Sequence, residues 1–297
     1  MPWVTRGLRN GVVTSRWPRH ADDYFDTFPA AVDVNPDPSV LSLESVEEID
    51  GLCPTGAITI ADPPPDGTTN GGTNGGASCG QRLPQVRLDR GRCILCGRCV
   101  AQRPDLFSWA PGSDTARLER DQLVVGSVPD TEDNLRAVQA ELARRVRSLR
   151  RSVHIRHVDA GSDGSDEWEI QALMNPVYDV HRLGIFFTAS PRHADILLVT
   201  GIGSVGMLAP LQRTRQAMPD PVVVIAAGVE AISGGLLRTS YIGRAGIGEV
   251  LDVDIWVPGS PASPFSLLHA ILLALGRLPA VHPQDTRAGG KADEGSG

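Results

Sequence analysis

Three cysteines, in the run Cys93-Ile-Leu-Cys96-Gly-Arg-Cys99, stand at the spacing C-x2-C-x2-C. Thiolates at this spacing are iron–sulfur ligands. A fourth cysteine would fall four positions on, where the chain has Arg103 followed by Pro104. In proteins with two such runs the fourth cysteine ligates the other cluster, so the triplet needs a thiolate from elsewhere. Cys53, in Leu52-Cys53-Pro54-Thr55-Gly56-Ala57-Ile58, is the candidate: it has the form of the closing half of an upstream run whose first three cysteines are missing from residues 40–52. Crossed ligation makes the losses consistent, because Cys53, Cys93, Cys96 and Cys99 would serve one cluster and the missing residues the other. The expectation is one [4Fe-4S] cluster on these four residues. Structural zinc is the rival, since C-x2-C pairs also hold zinc, but zinc sites use two separated pairs rather than a triplet. The fifth cysteine, Cys79 in Gly-Gly-Ala-Ser-Cys79-Gly, reads as a free thiol, with substitution for Cys53 as the alternative.

At 297 residues the chain is long enough for two domains. With 32 Gly and 23 Pro, loop-rich stretches between compact units are expected. The net charge of −7 argues against a nucleic-acid partner. The first twenty residues are basic, with Arg6, Arg9, Arg16, Arg19 and His20 among Trp3, Val4, Leu8, Val12, Val13 and Trp17. Such an amphipathic arm, residues 1–25, either lies on an anionic membrane surface or membrane subunit, or packs on the chain's own fold. No stretch reaches the roughly 18 apolar residues of a spanning helix, and a signal peptide is not evident. Cysteines grouped at metal spacing agree with a reducing, cytoplasmic compartment.

The elements that would position the thiols are short. Strands are expected at Ala57–Ile60 and Gln85–Leu88, separated by a Pro-, Gly- and Asn-rich insertion over 61–84. From Asp130 the apolar residues Leu135, Val138, Leu142, Val146 and Leu149 recur at helical steps, which predicts a connector helix within 126–152. Beyond it, Ala194–Thr200, Val222–Ala227 and Asp254–Val257 read as buried strands, and Val205–Met218 and Pro264–Leu278 as helices. The alternation implies a mainly parallel, doubly wound sheet over 153–282, with sites at the carboxyl ends of its strands. Residues 283–297 are expected to be disordered. Gly201-Ile-Gly203-Ser-Val-Gly206 matches the local dinucleotide fingerprint, but no acidic residue stands at the end of the next strand to hold a ribose. Backbone reasons for these glycines are therefore preferred.

Within 153–278, Tyr178-Asp-Val-His-Arg-Leu-Gly184, Ser190-Pro191-Arg192-His193-Ala194-Asp195, Met218-Pro-Asp-Pro221 and Val257-Pro258-Gly259 resemble the small electron-transfer subunit of respiratory complex I (NADH-quinone oxidoreductase) and of energy-converting, membrane-bound [NiFe] hydrogenases. The N-terminal half, including Arg6-Gly7-Leu8 and Trp17-Pro18-Arg19, resembles the ferredoxin-type partner subunit of the same complexes. The resemblance implies a fusion: an α+β ferredoxin-like domain over 26–125, and an α/β domain that in the family carries a second [4Fe-4S] cluster on four cysteines. By that resemblance Asp163, Asp166, Glu230 and Ser260 occupy the four cysteine positions. Oxygen donors are unusual on iron–sulfur clusters, so the second cluster is expected to be absent. The crowded carboxylates would be protonated, hydrated or bridged by a cation; a solvated, abandoned site is the simplest expectation, and a divalent ion such as Mg2+ or Mn2+ the alternative.

The resemblance implies an electron-transfer subunit, peripheral on the inner face of the cell membrane. Its partners would be a large subunit of the hydrogenase or complex I type and antiporter-like membrane subunits; the electron donor is not indicated. The alternative functions are a structural scaffold or redox-sensing subunit, and a divalent-cation site at Asp163, Asp166 and Glu230. No catalytic residue is identified: no nucleophile or base stands at recognisable spacing, and His154, His157, His181 and His193 need geometry to be assigned.

Overall fold

The computed structural model describes residues 2–20, 22–35, 49, 51–61, 85–125, 152–238 and 240–278. The expected connector helix and C-terminal tail fall outside these residues, as do Cys79 and all but the first residue of the 61–84 insertion.

The N-terminal part begins with two helices, α1 (Pro2–Asn10) and α2 (Asp23–Thr27), and two small antiparallel sheets. Strand β1 (Ala31–Val34) pairs with β4 (Phe107–Ala110), and β3 (Gln85–Asp89) lies between β2 (Ile58–Ala61) and β5 (Val124–Val125). A third short helix, α3 (Arg98–Gln102), follows the cysteine triplet and carries Cys99. Val32, Leu52, Ile58, Leu88, Leu106 and Phe107 form a compact core that includes Cys93 and Cys99.

The C-terminal part is an α/β unit. Five strands, β6 (Val153–Asp159), β7 (Ile185–Phe187), β8 (Ile196–Thr200), β9 (Val223–Ala227) and β10 (Ile255–Val257), form one sheet in the order β10-β9-β8-β6-β7. Every pairing is parallel. Side chains alternate along the strands, so β6, β8, β9 and β10 each feed two cores. Ile155, Ile196, Leu198, Val223 and Ile225 pack on one face under a helix, α7 (Pro264–Ala274), that is buried at all its positions. Leu197, Val199, Val224 and Ala226 pack on the other with Leu211 of helix α5 (Leu208–Ala217). Two further helices follow the carboxyl ends of β6 and β9: α4 (Ser165–Ala172) after a short loop, and α6 (Gly228–Ser233) directly. Because β7 returns to one side of β6 and β8 to the other, the strand order reverses between β6 and β8. That reversal opens a crevice at the strands' carboxyl ends.

The expected strands and helices of this half are present with trimmed ends, while β6, β7, α4 and α6 were not expected as elements. The segment β6 alternates apolar with His and Arg, and β7 and α6 are too short to carry a period.

The two parts share a core. Trp17 stacks on Phe25 with ring centroids 4.6 Å apart, and Phe265 of α7 meets both rings edge-on. Ala116 and Leu118 join the same cluster, and Arg117 exchanges backbone hydrogen bonds of 2.9 and 2.8 Å with Trp256, covering the open edge of β10. The arm therefore divides: residues 2–13 are exposed, whereas Trp17 is buried on the chain's own fold. We expect Trp17→Ala to lower stability in urea denaturation by about 3–5 kcal/mol, the cost of deleting a buried aromatic side chain. Trp3→Ala, at a position 73% exposed, should change it by less than about 0.5 kcal/mol. Equal effects would mean that the arm does not dock through Trp17.

Candidate functional sites

The four predicted thiols line one small cavity of about 10 Å3 in the N-terminal part, walled by Val32, Leu52, Ile58 and Leu88. Cys53 sits on a tight turn closed by Gly56, whose φ of +62° suits glycine. The sulfur of Cys53 accepts from the Ala57 N–H at 3.3 Å and lies 3.3 Å from the Thr55 hydroxyl. Across the cavity the 93–97 loop turns through left-handed conformations at Leu95 (φ +54°) and Gly97 (φ +71°). The first turns the Leu95 N–H onto the Cys93 sulfur; the second starts the helix that brings Cys99 in, beside the Val100 N–H. Cys93 and Cys99 are buried, Cys53 is half-buried and Cys96 faces solvent. Burial pushes the Cys93 thiol up to about 11 against the opposing Leu95 N–H, and repulsion from Cys99, Cys53 and Cys96 adds to the rise. Cys99 is also raised, chiefly by burial.

The second site lies in the crevice between β6 and β8. After β6 the Asp159 carboxylate accepts from the N–H groups of Gly161 and Ser162 at 2.7 and 2.8 Å, folding the loop back toward α4. Asp163, exposed, accepts from the Ser165 N–H and hydroxyl at 2.8 and 2.6 Å, which hold its carboxyl below the usual range. Its own N–H donates to Glu230 at 3.2 Å. Asp166 is 2% exposed and accepts from the Ala262 N–H at 2.8 Å. It lies so close over Gly228 that a Cβ there would stand 1.9 Å from its second oxygen. Asp166 is pushed up to about 7, first by burial and then by Glu167, Glu230 and Asp163. Glu230, half-buried, is also pushed up to about 7, by burial and then by Asp163.

Asp163, Asp166 and Glu230 thus meet, as expected. Ser260 is exposed, on the loop that presents the Ala262 N–H to Asp166, and makes no hydrogen bond to the three carboxylates. The expectation of a solvated pocket is corrected for Asp166, whose carboxyl is enclosed by Ala262 and Gly228 and whose proton affinity burial raises. Sequence reasoning missed Glu167, which accepts from the Ser162 hydroxyl at 2.7 Å and from the Thr200 hydroxyl. His157, which the sequence left unassigned, places its Nε2 3.0 Å from the Thr200 hydroxyl and 3.7 Å from Glu167. Burial holds His157 below its usual value, against the pull of Glu167 and Asp159. The placement of Thr200 at the end of an apolar strand was the available signal for that residue.

In the glycine run, a Cβ at Gly201 would stand 2.6 Å from the backbone of Gly161 and Ser162. Its φ of +82° and this close approach account for the residue. Among the described residues no group of three or more His, Cys, Asp or Glu side chains that could hold a metal ion occurs, and no helix is long and apolar enough to cross a membrane.

Known proteins share this sequence pattern in the α/β unit. The family described as NADH ubiquinone oxidoreductase, 20 Kd subunit, matches residues 164–274, a stretch without cysteine. Formate hydrogenlyase subunit 7 of Escherichia coli (strain K12) is 36% identical over 151 residues, covering 51% of this chain and 58% of that protein. The probable membrane-bound hydrogenase subunit mbhJ of Pyrococcus furiosus is 36% identical over 141 residues, covering 48% and 84%. The B-type subunit of NADH-quinone oxidoreductase from Geotalea daltonii is 41% identical over 104 residues, covering 35% and 61%. The chain therefore spans little more than half the length of the formate hydrogenlyase subunit.

The carboxylates predict a pH dependence. The folded-state values of Asp166 and Glu230 lie above their ordinary 3.8 and 4.5, so between that range and about 7 the folded protein binds more protons than the unfolded chain. Their stabilising contribution is complete below the ordinary values and is lost as pH rises through the raised ones. His157, Asp163 and Asp105, held below their usual values, act in the opposite sense, so a variant is needed to isolate the effect. Asp166→Asn, which keeps an acceptor for Ala262, should remove a stability loss on the order of 3 kcal/mol between pH 4 and 8. Identical pH profiles of urea denaturation for variant and wild type would contradict a protonated Asp166.

Proposed function

We propose that this chain, which belongs to the NADH ubiquinone oxidoreductase, 20 Kd subunit family, is the electron-transfer subunit of a membrane-associated oxidoreductase complex of the complex I or hydrogenase type. In this reading the N-terminal part is a ferredoxin-type unit fused to the family's α/β unit, and Cys53, Cys93, Cys96 and Cys99 hold one [4Fe-4S] cluster. The observation that carries it is the convergence of Cys53, distant in sequence, with the triplet on the wall of one cavity.

The thiols are donors of the type such a group takes, although no three or more donors among the described residues are placed to hold a metal ion in this structure. A four-iron cluster takes one thiolate per iron, and so needs ligands arranged around a cavity; zinc would draw all four donors to one point. When bound, the cluster would supply one-electron transfer. Deprotonation of Cys93 is opposed by its burial and by its neighbours, so cationic iron would be what holds the thiolates together. The N–H groups of Ala57, Leu95 and Val100 on three sulfurs stabilise the thiolate forms. The apolar wall excludes water, while Cys96 opens to solvent and marks the side from which a redox partner would approach.

The α/β unit carries protonatable carboxylates where the resemblance puts four cysteines, so it offers no thiolate for an onward cluster. That observation favours, as a second reading, a scaffold that joins a large-subunit-like protein to membrane subunits, with the N-terminal cluster acting as a structural or redox-sensing group. The complex would hold the chain peripherally at the membrane.

Iron and acid-labile sulfide measured after anaerobic purification should give about four of each per chain, with an EPR signal on reduction. Cys53→Ser should lose most of the iron, and Cys79→Ser should keep it. Zinc without sulfide would refute the cluster; about eight irons would mean that the carboxylate crevice also holds one. Damage confined to Cys79→Ser would overturn the role given to Cys53. A redox titration separates the two readings, since a relay cycles reversibly within a cellular potential range and a purely structural cluster does not.

A further inference from the structure

A cleft of about 650 Å3 runs between the two parts of the chain. Arg92 and Arg120 line it from the N-terminal side; Ile232, Ser233, Arg238 and Trp256 line it from the α/β unit. The parts meet tightly beside it at Gly91, where a Cβ would stand 2.7 Å from Ile232 and 2.9 Å from the Arg120 guanidinium.

The three arginines differ in how well they are satisfied. Arg120 holds Asp89 in a two-point pair, at 2.8 and 2.6 Å. Arg92 shares that same carboxylate at a long 3.5 Å, and its Nε is buried without a hydrogen-bond partner. Arg238 is half-buried and has no hydrogen bond or ion pair among the described residues; its guanidinium lies by the Cys53 turn, 3.4 Å from where a Gly56 Cβ would be. Of the acids on the cleft, Glu249 faces Arg244 at 3.8 Å, and Asp252 is exposed at the rim. Two guanidinium groups from opposite walls are thus left with donors to spare in a partly desolvated cleft with an apolar side. Guanidinium forks match oxyanions in two-point contacts.

We propose that this cleft binds a small soluble anion of the phosphate-ester class, clasped between Arg92 and Arg238 and backed by the fixed Arg120. A phosphoryl group has enough charge and acceptor oxygens to face both walls at once. Its apolar body would lie on Ile232 and Trp256. Binding would draw the α/β unit against the segment that leads into Cys93 and against the Cys53 turn. The inference does not depend on what the thiols hold.

Inorganic pyrophosphate is a suitable probe, titrated into the full-length protein by calorimetry with iron content measured in parallel. Saturable binding is expected, weakened at least tenfold in Arg238→Gln and unchanged in Arg213→Gln, an exposed arginine far in sequence from the cleft. Acetate should bind at least tenfold more weakly than pyrophosphate. If Arg238→Gln fails to fold, Arg92→Gln carries the same expectation. No saturable binding to the wild type, equal affinity in all variants, or acetate binding as tightly as pyrophosphate overturns the proposal. Because the readout is anion affinity and not iron, its failure is distinct from failure of the cluster.

Discussion

The central strands of a parallel sheet, covered on both faces, leave no room for charged side chains, and the rest of this molecule is arranged around that constraint. All residues of β8 and β9 are buried. Water cannot satisfy a polar group there, so charge is excluded from these two strand bodies. The polar chemistry of the α/β unit is displaced to the carboxyl ends of the strands, where Asp159, Thr200 and Gly228 mark the transition from sheet to loop or helix. The reversal of strand order between β6 and β8 then provides the crevice.

What occupies that crevice is a set of carboxylates that repel one another. Asp166 is enclosed by the Ala262 N–H and the bare backbone of Gly228, with no cation beside it among its hydrogen-bond partners. Burial disfavours its charged form and raises its proton affinity. Glu167 is held differently, by the hydroxyls of Ser162 and Thr200, and His157 lies behind it. Burial and mutual repulsion thus raise the proton affinity of Asp166 and Glu230, while Asp163 stays exposed.

The same sheet also explains why the two parts of the chain are joined so firmly. An unpaired edge at β10 would expose backbone donors and acceptors, and Arg117 satisfies them at Trp256. Trp17 and Phe25 extend the core over Phe265. With these contacts the thiol-bearing unit is held as a neighbour of the sheet, and the arginine-lined cleft is the space that remains between them.

Much of this was legible in the sequence where the governing chemistry is local. The spacing of Cys93, Cys96 and Cys99 is a local property, because one loop and the first turn of α3 set the distances between them. The strands β8, β9 and β10 and the helices α5 and α7 were legible because long apolar runs bounded by Gly and Pro have few other solutions. By contrast β7 and α6 are too short to show a period, and β6 hides its buried face behind His and Arg. The company of Asp166 with Glu230, 64 positions later in the chain, was reached only through a resemblance. That Asp166 is sealed from water, that Glu167, His157 and Thr200 join it, and that Arg238 crosses to the Cys53 turn were decided only by the tertiary structure. Burial and through-space charge belong to the packed molecule, and no spacing along the chain encodes them.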